Sequence, residues 1–258
     1  MLKFRSLGSG SSGNATVVEA GRGSKVTRLF IACGFSLKHL DARLGAAGLT
    51  ANQLDAVFIT HEHGDHIGCV RQLALRERIP VWMSRGTHAA LGESELDGLF
   101  QTASDGQAID LGELQLMPFT VPHDAREPLQ LTCSDGQSRL GVLTDLGHAT
   151  AHVLAHLGQC QTLLLECNHD PDLLAASSYP AFLKKRVGGL HGHLANADAA
   201  AIARAVRHPG LQRVVAAHLS KQNNRPALAR TALAEALGCD TVAIDIADAQ
   251  HGTPWIEV

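Results

Sequence analysis

Three histidines and an aspartate fall between positions 61 and 66 in Thr60-His61-Glu62-His63-Gly64-Asp65-His66. Imidazole nitrogens and a carboxylate set that close together suit a divalent transition ion. At the point where a strand gives way to a tight turn, alternate side chains project the same way. His61 and His63 are therefore placed to clasp one ion while Asp65 and His66 face another. One turn cannot complete two coordination spheres, so further donors must come from other strand ends. Three candidates follow apolar runs: His123 after Gln115–Val121, Asp145 after Arg139–Thr144, and His218 after Arg213–Ala217.

Such donors meet only if their strands end along a common edge, as they do where α/β sheets bind ligands at the strands' carboxyl ends. The chain has the required pattern: short β-branched or apolar runs alternate with Ala/Leu-rich amphipathic stretches throughout. Besides the three strands above, strands are expected at Ala15–Ala20, Thr27–Ala32, Ala56–Thr60, Gln161–Glu166 and Thr241–Ile246. Helices are expected at Leu37–Ala47, Gly68–Arg78, Ala149–Leu157, Asn196–Arg207 and Pro226–Leu237, the last punctuated by Pro226 and Gly238. With no repeat and no linker-like tract, residues 1–258 read as a single α/β domain. The segment Gly8-Ser9-Gly10-Ser11-Ser12-Gly13-Asn14 reads as a hairpin turn, with a backbone nest for an anion as its functional alternative.

A hydrophobic fraction of 45% excludes disorder, and six scattered cysteines without a C-x-x-C pair read as reduced and mostly buried. The N-terminus carries no secretory apolar stretch and no window reaches transmembrane length, so a cytoplasmic protein with no membrane partner is expected. The formal net charge of −3 hides a polarised chain: Phe182–Arg230 holds nine Lys/Arg against the single acid Asp198, giving +8 there and −11 elsewhere. Such asymmetry is the footprint of a nucleic-acid or phosphate partner. Lys184, Lys185, Arg186 and Lys221 are candidates for backbone-phosphate contacts, with Ser220 and Asn223 adding neutral hydrogen bonds. Aromatics at 4% argue against a stacking platform for single strands and favour duplex recognition. His193, in Gly192-His193-Leu194, is a candidate to donate to a leaving oxygen or to bind phosphate oxygens. Glu166 and His169 are candidates to orient a ligand imidazole from behind.

The order and spacing of His61, His63, Asp65, His66, His123, Asp145 and His218 resemble the metallo-β-lactamase fold superfamily. Its domain is an αββα four-layer sandwich, two mixed sheets between helices, with a dinuclear site at one edge. More narrowly, Ser9–Asn14, Glu166-Cys167-Asn168-His169-Asp170, Tyr179-Pro180 with Lys184-Lys185-Arg186, Gly192-His193-Leu194 and His218–Asn224 look like the WalJ/YycJ branch, described as double-stranded-DNA exonucleases. The resemblance implies two divalent ions (Zn, Mn or Fe). His61, His63 and His123 would hold the first, Asp65, His66 and His218 the second, and Asp145 would bridge them. It also implies that Asp65 orients a shared water, made acidic by the ions, and takes its proton.

A carboxylate at Asp145, where the familiar zinc β-lactamases use cysteine, points away from antibiotic hydrolysis. Ala32 stands where the superfamily usually carries an aspartate that supports the ligand histidines, which implies weaker metal loading or turnover. Three readings follow: a nuclease acting on DNA phosphodiesters, a small cyclic phosphodiesterase similar to PhnP, and a metal-binding protein with weak or no turnover. Thiolester hydrolysis of the glyoxalase II kind ranks below these.

Overall fold

The computed structural model describes residues 1–22, 25–92 and 96–258. Within them lie two sheets of seven strands. The first runs β14 (Ile256–Glu257), β1 (Leu2–Gly8), β2 (Ala15–Arg22), β3 (Lys25–Ile31), β4 (Ala56–Phe58), β5 (Val81–Met83), β6 (Phe100–Thr102), antiparallel as far as β3 and parallel beyond. The second runs β13 (Asp245–Ile246), β12 (Arg213–Ala217), β11 (Thr162–Glu166), β10 (Arg139–Leu143), β9 (Leu129–Ser134), β8 (Leu114–Thr120), β7 (Ile109–Leu111), parallel as far as β10 and antiparallel beyond. Helices α1 (Leu37–Ala46), α2 (Gly64–Ile67), α3 (Val70–Glu77) and α4 (Arg85–Ala90) belong to the first half. Helices α5 (Ala151–Leu157), α6 (Pro171–Ala176), α7 (Ala181–Val187), α8 (Asn196–Ala205) and α9 (Pro226–Leu237) belong to the second.

The layering follows from strand periodicity. On β3, Leu29 and Ile31 enter a core between the sheets with Phe4, Phe58, Leu116, Leu131, Val142 and Leu164. Phe30, which alternation turns to the other face, packs with Val17, Leu40, Leu44 and Leu73 beneath α1 and α3. On β11, Leu164 points inward while Leu163 and Leu165 join Val153, Leu157, Ile202 and Leu233 beneath α5, α8 and α9. Strands buried on both faces read as continuous apolar runs, and each such side chain contributes about 1.5–3 kcal/mol. The result is the expected αββα sandwich of two mixed sheets.

Strand direction then creates the site. β1, β3 and β4 run one way in the first sheet, and β8, β10, β11 and β12 share a direction in the second, so the loops after these strands gather along one edge. Three residues at those ends adopt the left-handed conformation: Ala32 (φ 60°), Asp145 (φ 56°) and His218 (φ 54°). That conformation costs a non-glycine residue about 1–2 kcal/mol and here turns the chain sharply off each strand.

Several expectations are corrected. The helix expected over Gly68–Arg78 is shortened to α3, Val70–Glu77, because Gly68 at φ 25°, ψ −104° ends α2 and separates the two. Thr241–Ile246 opens as a 3-10 turn over Thr241–Ala243, because the Asp240 side chain accepts from the Val242 amide and caps it, leaving strand only at Asp245–Ile246. Strands β5, β6, β7 and β14 have two or three residues each, too few for a periodicity to show. No helix among the described residues is long and apolar enough to cross a membrane.

Five cysteines are buried and unpaired while Cys239 is exposed. Burial pushes the Cys160 thiol up to about 12 and raises Cys133 and Cys167 as well. A thiol reagent is therefore expected to label one cysteine in the native protein and six after denaturation. Fast native labelling at more than Cys239, read by mass spectrometry, would contradict this packing.

Candidate metal centre

The chain leaves β4 through Ile59 and Thr60 into His61, and His63 stands at the N-cap of α2. Asp65 then occupies the first turn of that helix and His66 its last. The ligand atoms of His61, His63 and His123 lie within 4.8 Å of one another, as do those of Asp65, His66, Asp145 and His218. The two groups adjoin, with His61 and His66 ring centroids 4.2 Å apart. The structure thus brings together all seven residues expected from sequence, in the pairing that the turn implied.

Four of the five rings are held from outside. The Thr60 hydroxyl oxygen lies 3.0 Å from His61 Nδ1 and 3.1 Å from His66 Nδ1, so it can accept from both. His123 Nδ1 donates to the Gly192 carbonyl at 3.0 Å, and His218 Nδ1 donates to Glu166 Oε1 at 3.0 Å. These partners fix the tautomer and turn Nε2 of four rings inward, as metal-binding imidazoles require. Position 192 must be glycine: a Cβ would lie 2.1 Å from the Arg186 carbonyl oxygen and 2.3 Å from that of Val187.

The inward atoms decide whether an ion fits. Nε2 of His61 and of His218 is buried without a hydrogen-bond partner. His63 Nδ1 and His123 Nε2 face each other at 3.3 Å, and Asp145 Oδ2 lies 3.0 Å from His66 Nε2 without an aligned hydrogen bond. A buried polar atom left unmatched costs about 1–3 kcal/mol. Several converging on one spot are a donor set for a divalent cation, and the chemistry of N and O ligands agrees.

The electrostatics are divided. Burial, reinforced by the charge of His66, holds His61 well below the usual imidazole range, and burial lowers His123 too. Burial also opposes charge on Asp145, Glu166, His193 and His218, but there the opposite charges overcome it. Asp145 is held well below the usual range by His218 and His66, and Glu166 falls to about 2 beside His193 and His218. His218 and His193 are raised in return, chiefly by Asp145 and Glu166 respectively. Glu166 is the hub: Oε1 accepts from His193 Nδ1 at 2.8 Å and from His218, while Oε2 accepts the backbone amides of Leu146 at 3.1 Å and Leu194 at 3.2 Å.

His193 lines the cleft above these groups with Arg186, whose Nε donates to Asp124 at 2.6 Å. Lys185 and Lys221 are exposed, and the Lys184 ammonium donates to the Ala175 carbonyl at 2.6 Å. Ser220 and Asn223 are buried, with Ser220 Oγ accepting from the Asn223 amide, so neither presents a side chain to a passing phosphate. His169 makes no hydrogen bond to any ligand imidazole and lines a separate cavity instead.

Sequence reasoning missed Thr60 and the use made of the Gly/Ser loop. Asn14 Nδ2 lies 3.2 Å from Asp65 Oδ2, and Ser9 Oγ accepts from the His218 amide at 2.9 Å. A polar loop placed before a strand on the same edge was the available signal.

Beside Ala32 lies a void of about 20 Å3, bordered by Asn14, Thr60, His66 and Thr144. The acid that the resemblance implies at this position is replaced by space, and the Thr60 hydroxyl serves the neighbouring imidazoles.

The sandwich and this edge site define a metal-dependent hydrolase. The beta-lactamase superfamily domain matches residues 27–219, and the chain belongs to that family. Among sequence relatives, exodeoxyribonuclease YycJ of Bacillus anthracis is 31% identical over 92% of this chain and 89% of its own. Exodeoxyribonuclease WalJ of Streptococcus pneumoniae strain D39 is 29% identical over 92% and 88%. In structure, the metallo-beta-lactamase fold protein YhfI of Bacillus subtilis superposes with a TM-score of 0.76 at 16% identity, covering 100% of this chain and 99% of its own.

Thr60→Val keeps the side chain's shape and removes the acceptor for two imidazoles. It is expected to weaken divalent-ion affinity about 10–100-fold in a chelator competition, and Ala32→Asp to strengthen it by about 10-fold or more. Unchanged affinity in both variants would remove Thr60 and Ala32 from the account.

Ionised Glu166 stabilises the fold fully above the ordinary glutamate value of 4.5, and this contribution is lost as pH falls toward about 2. In chelator-treated protein that loss is on the order of 3 kcal/mol. The urea midpoint should drop across this window, and less steeply in Glu166→Gln.

Proposed function

We propose that the protein is a phosphodiesterase that holds two divalent ions, zinc, manganese or iron, and degrades DNA as an exonuclease. The observation that carries this reading is the pair of adjoining ligand groups at one cleft, His61/His63/His123 and Asp65/His66/Asp145/His218, with Asp145 assigned to span them. The names of the exodeoxyribonuclease relatives favour DNA as the substrate class. When bound, such ions polarise a phosphoryl oxygen and make a water acidic.

The chain's own residues supply the rest. Asp65, steadied by Asn14, is partly exposed toward the cleft and is the group to take a proton from the attacking water. His193 commits Nδ1 to Glu166, which leaves Nε2 to donate to the leaving oxygen. Its raised pKa favours the protonated form that this step needs. Proton transfer of this kind contributes about 10²–10⁴-fold. Arg186 at the cleft wall, with Lys185 and Lys221 on the exposed surface, would meet backbone phosphates of duplex DNA.

A second reading, hydrolysis of a small cyclic phosphodiester, draws on the size of the cleft, about 290 Å3, at the lower end for small-molecule sites. A third, metal binding with weak turnover, draws on Ala32, and the dual acceptance by Thr60 weighs against it.

Metal-reconstituted protein, incubated with end-labelled duplex DNA, single-stranded DNA and a chromogenic phosphodiester, is expected to degrade the duplex from its ends. His61→Ala should lose at least about 100-fold in rate, and His193→Ala about 10²–10⁴-fold. Cleavage of the chromogenic ester alone would overturn the nuclease reading in favour of the second.

A further inference from the structure

A second cavity opens on the far side of His193. It holds about 550 Å3 and is lined by His169, Leu174, Ala175, Lys184, Gly188 and Asp198, with His193 as the wall it shares with the catalytic cleft. That volume falls within the range of small-molecule sites. His169 is 4% exposed, and its Nδ1 is buried without a partner. The other ring nitrogen, Nε2, lies on the cavity side, 3.8 Å from where a Cβ at Gly188 would stand, and makes no hydrogen bond among the described residues, so it is the atom open to a ligand. Nothing behind the metal ligands uses this ring.

The lining favours a flat, largely apolar ligand over an anion. Leu174, Ala175 and the bare backbone of Gly188 form the walls, and the Asp198 carboxylate offsets the Lys184 ammonium, which already donates to the Ala175 carbonyl. A Cβ at position 188 would meet only Leu174 Cδ2 at 3.4 Å, the Lys184 carbonyl at 3.5 Å and His169 Nε2 at 3.8 Å, so glycine here keeps the cavity open without being demanded by packing.

We infer that this cavity seats the nucleobase adjoining the scissile phosphate, with Leu174 and Ala175 against its face and His169 hydrogen-bonding its edge. The inference rests on the phosphodiesterase reading, because the shared wall at His193 places the cavity one step along a strand whose phosphate lies in the cleft. It assigns His169 to substrate positioning.

The test titrates thymidine, and separately deoxyribose 5-phosphate, into the full-length zinc-reconstituted protein carrying ring-labelled histidine. Thymidine is expected to shift the His169 ring resonances, assigned through His169→Gln, and the sugar phosphate to leave them in place. Gly188→Leu, whose Cβ comes no nearer than 3.4 Å to any neighbour, fills the cavity and should weaken thymidine binding at least tenfold. Leu174→Trp, filling it from the opposite wall, serves as the second variant if Gly188→Leu fails to fold by circular dichroism. Absence of a thymidine shift at His169, equal shifts from both probes, or unaltered affinity in the filled variant would each overturn the assignment. Duplex degradation by the same sample separates the two claims. Thymidine bound at His169 without DNA cleavage upholds the cavity and removes the exonuclease reading. Cleavage without thymidine binding does the reverse.

Discussion

The centre depends on a carboxylate that does not meet solvent. Glu166 is 0% exposed, a position in which a lone carboxylate would give up its charge. Four N–H groups keep it ionised: those of His193, His218, Leu146 and Leu194. They come from three separate stretches of chain, the turn after β10, the loop before α8 and the end of β12. One side chain thereby orders a ligand ring, the ring above the cleft and the two loops that frame them. Breaking a buried network of this kind costs far more than an exposed ion pair contributes, because every member would be left desolvated and unmatched.

The candidate ligands were legible because their chemistry is local. His61 to His66 lie in one turn, and His123, Asp145 and His218 each follow an apolar run that only a strand explains. The groups that orient them were harder to read, since their roles depend on contacts distant in sequence: Gly192 meets His123 across 69 positions and Ser9 meets His218 across 209. Glu166 and His169 were candidates for the same role, in one motif of the resemblance, and the structure separates them: Glu166 ends β11 and accepts from His218. His169 instead bridges Ala195 beyond the end of β11, and its ring lines another cavity. In the fold, most long apolar strands were read from the sequence, but β1 and β9, whose apolar residues are interrupted by Lys3, Arg5, Gln130 and Thr132, were not, and three-residue strands such as β5 and β6 exist because neighbouring strands offer them an edge.

Charge that looks concentrated in the sequence is divided in space. Of the nine basic residues between Phe182 and Arg230, Arg186 lines the cleft at the candidate metal centre and pairs with Asp124. Arg207 and Arg213 border a different cavity of about 520 Å3, near the opposite end of β12, and Arg213 pairs with Asp245. A formal +8 is thus split between two faces and partly neutralised on each, so the field over the cleft is weaker than the linear count implies.

The double burial of the central strands raises a problem of identity between their two faces. Where one face of a strand is wet, a slip of one residue exposes apolar groups and is penalised at once. On β11 both faces are apolar, with Leu164 on one side and Leu163 and Leu165 on the other, so a slipped strand would still bury leucines. Glu166 breaks that degeneracy: one place along the strand satisfies its carboxylate, and any other strands a charge in hydrocarbon. The group that holds the candidate ligand rings is thus also a register pin, and the specificity of the fold is written in part by a buried carboxylate.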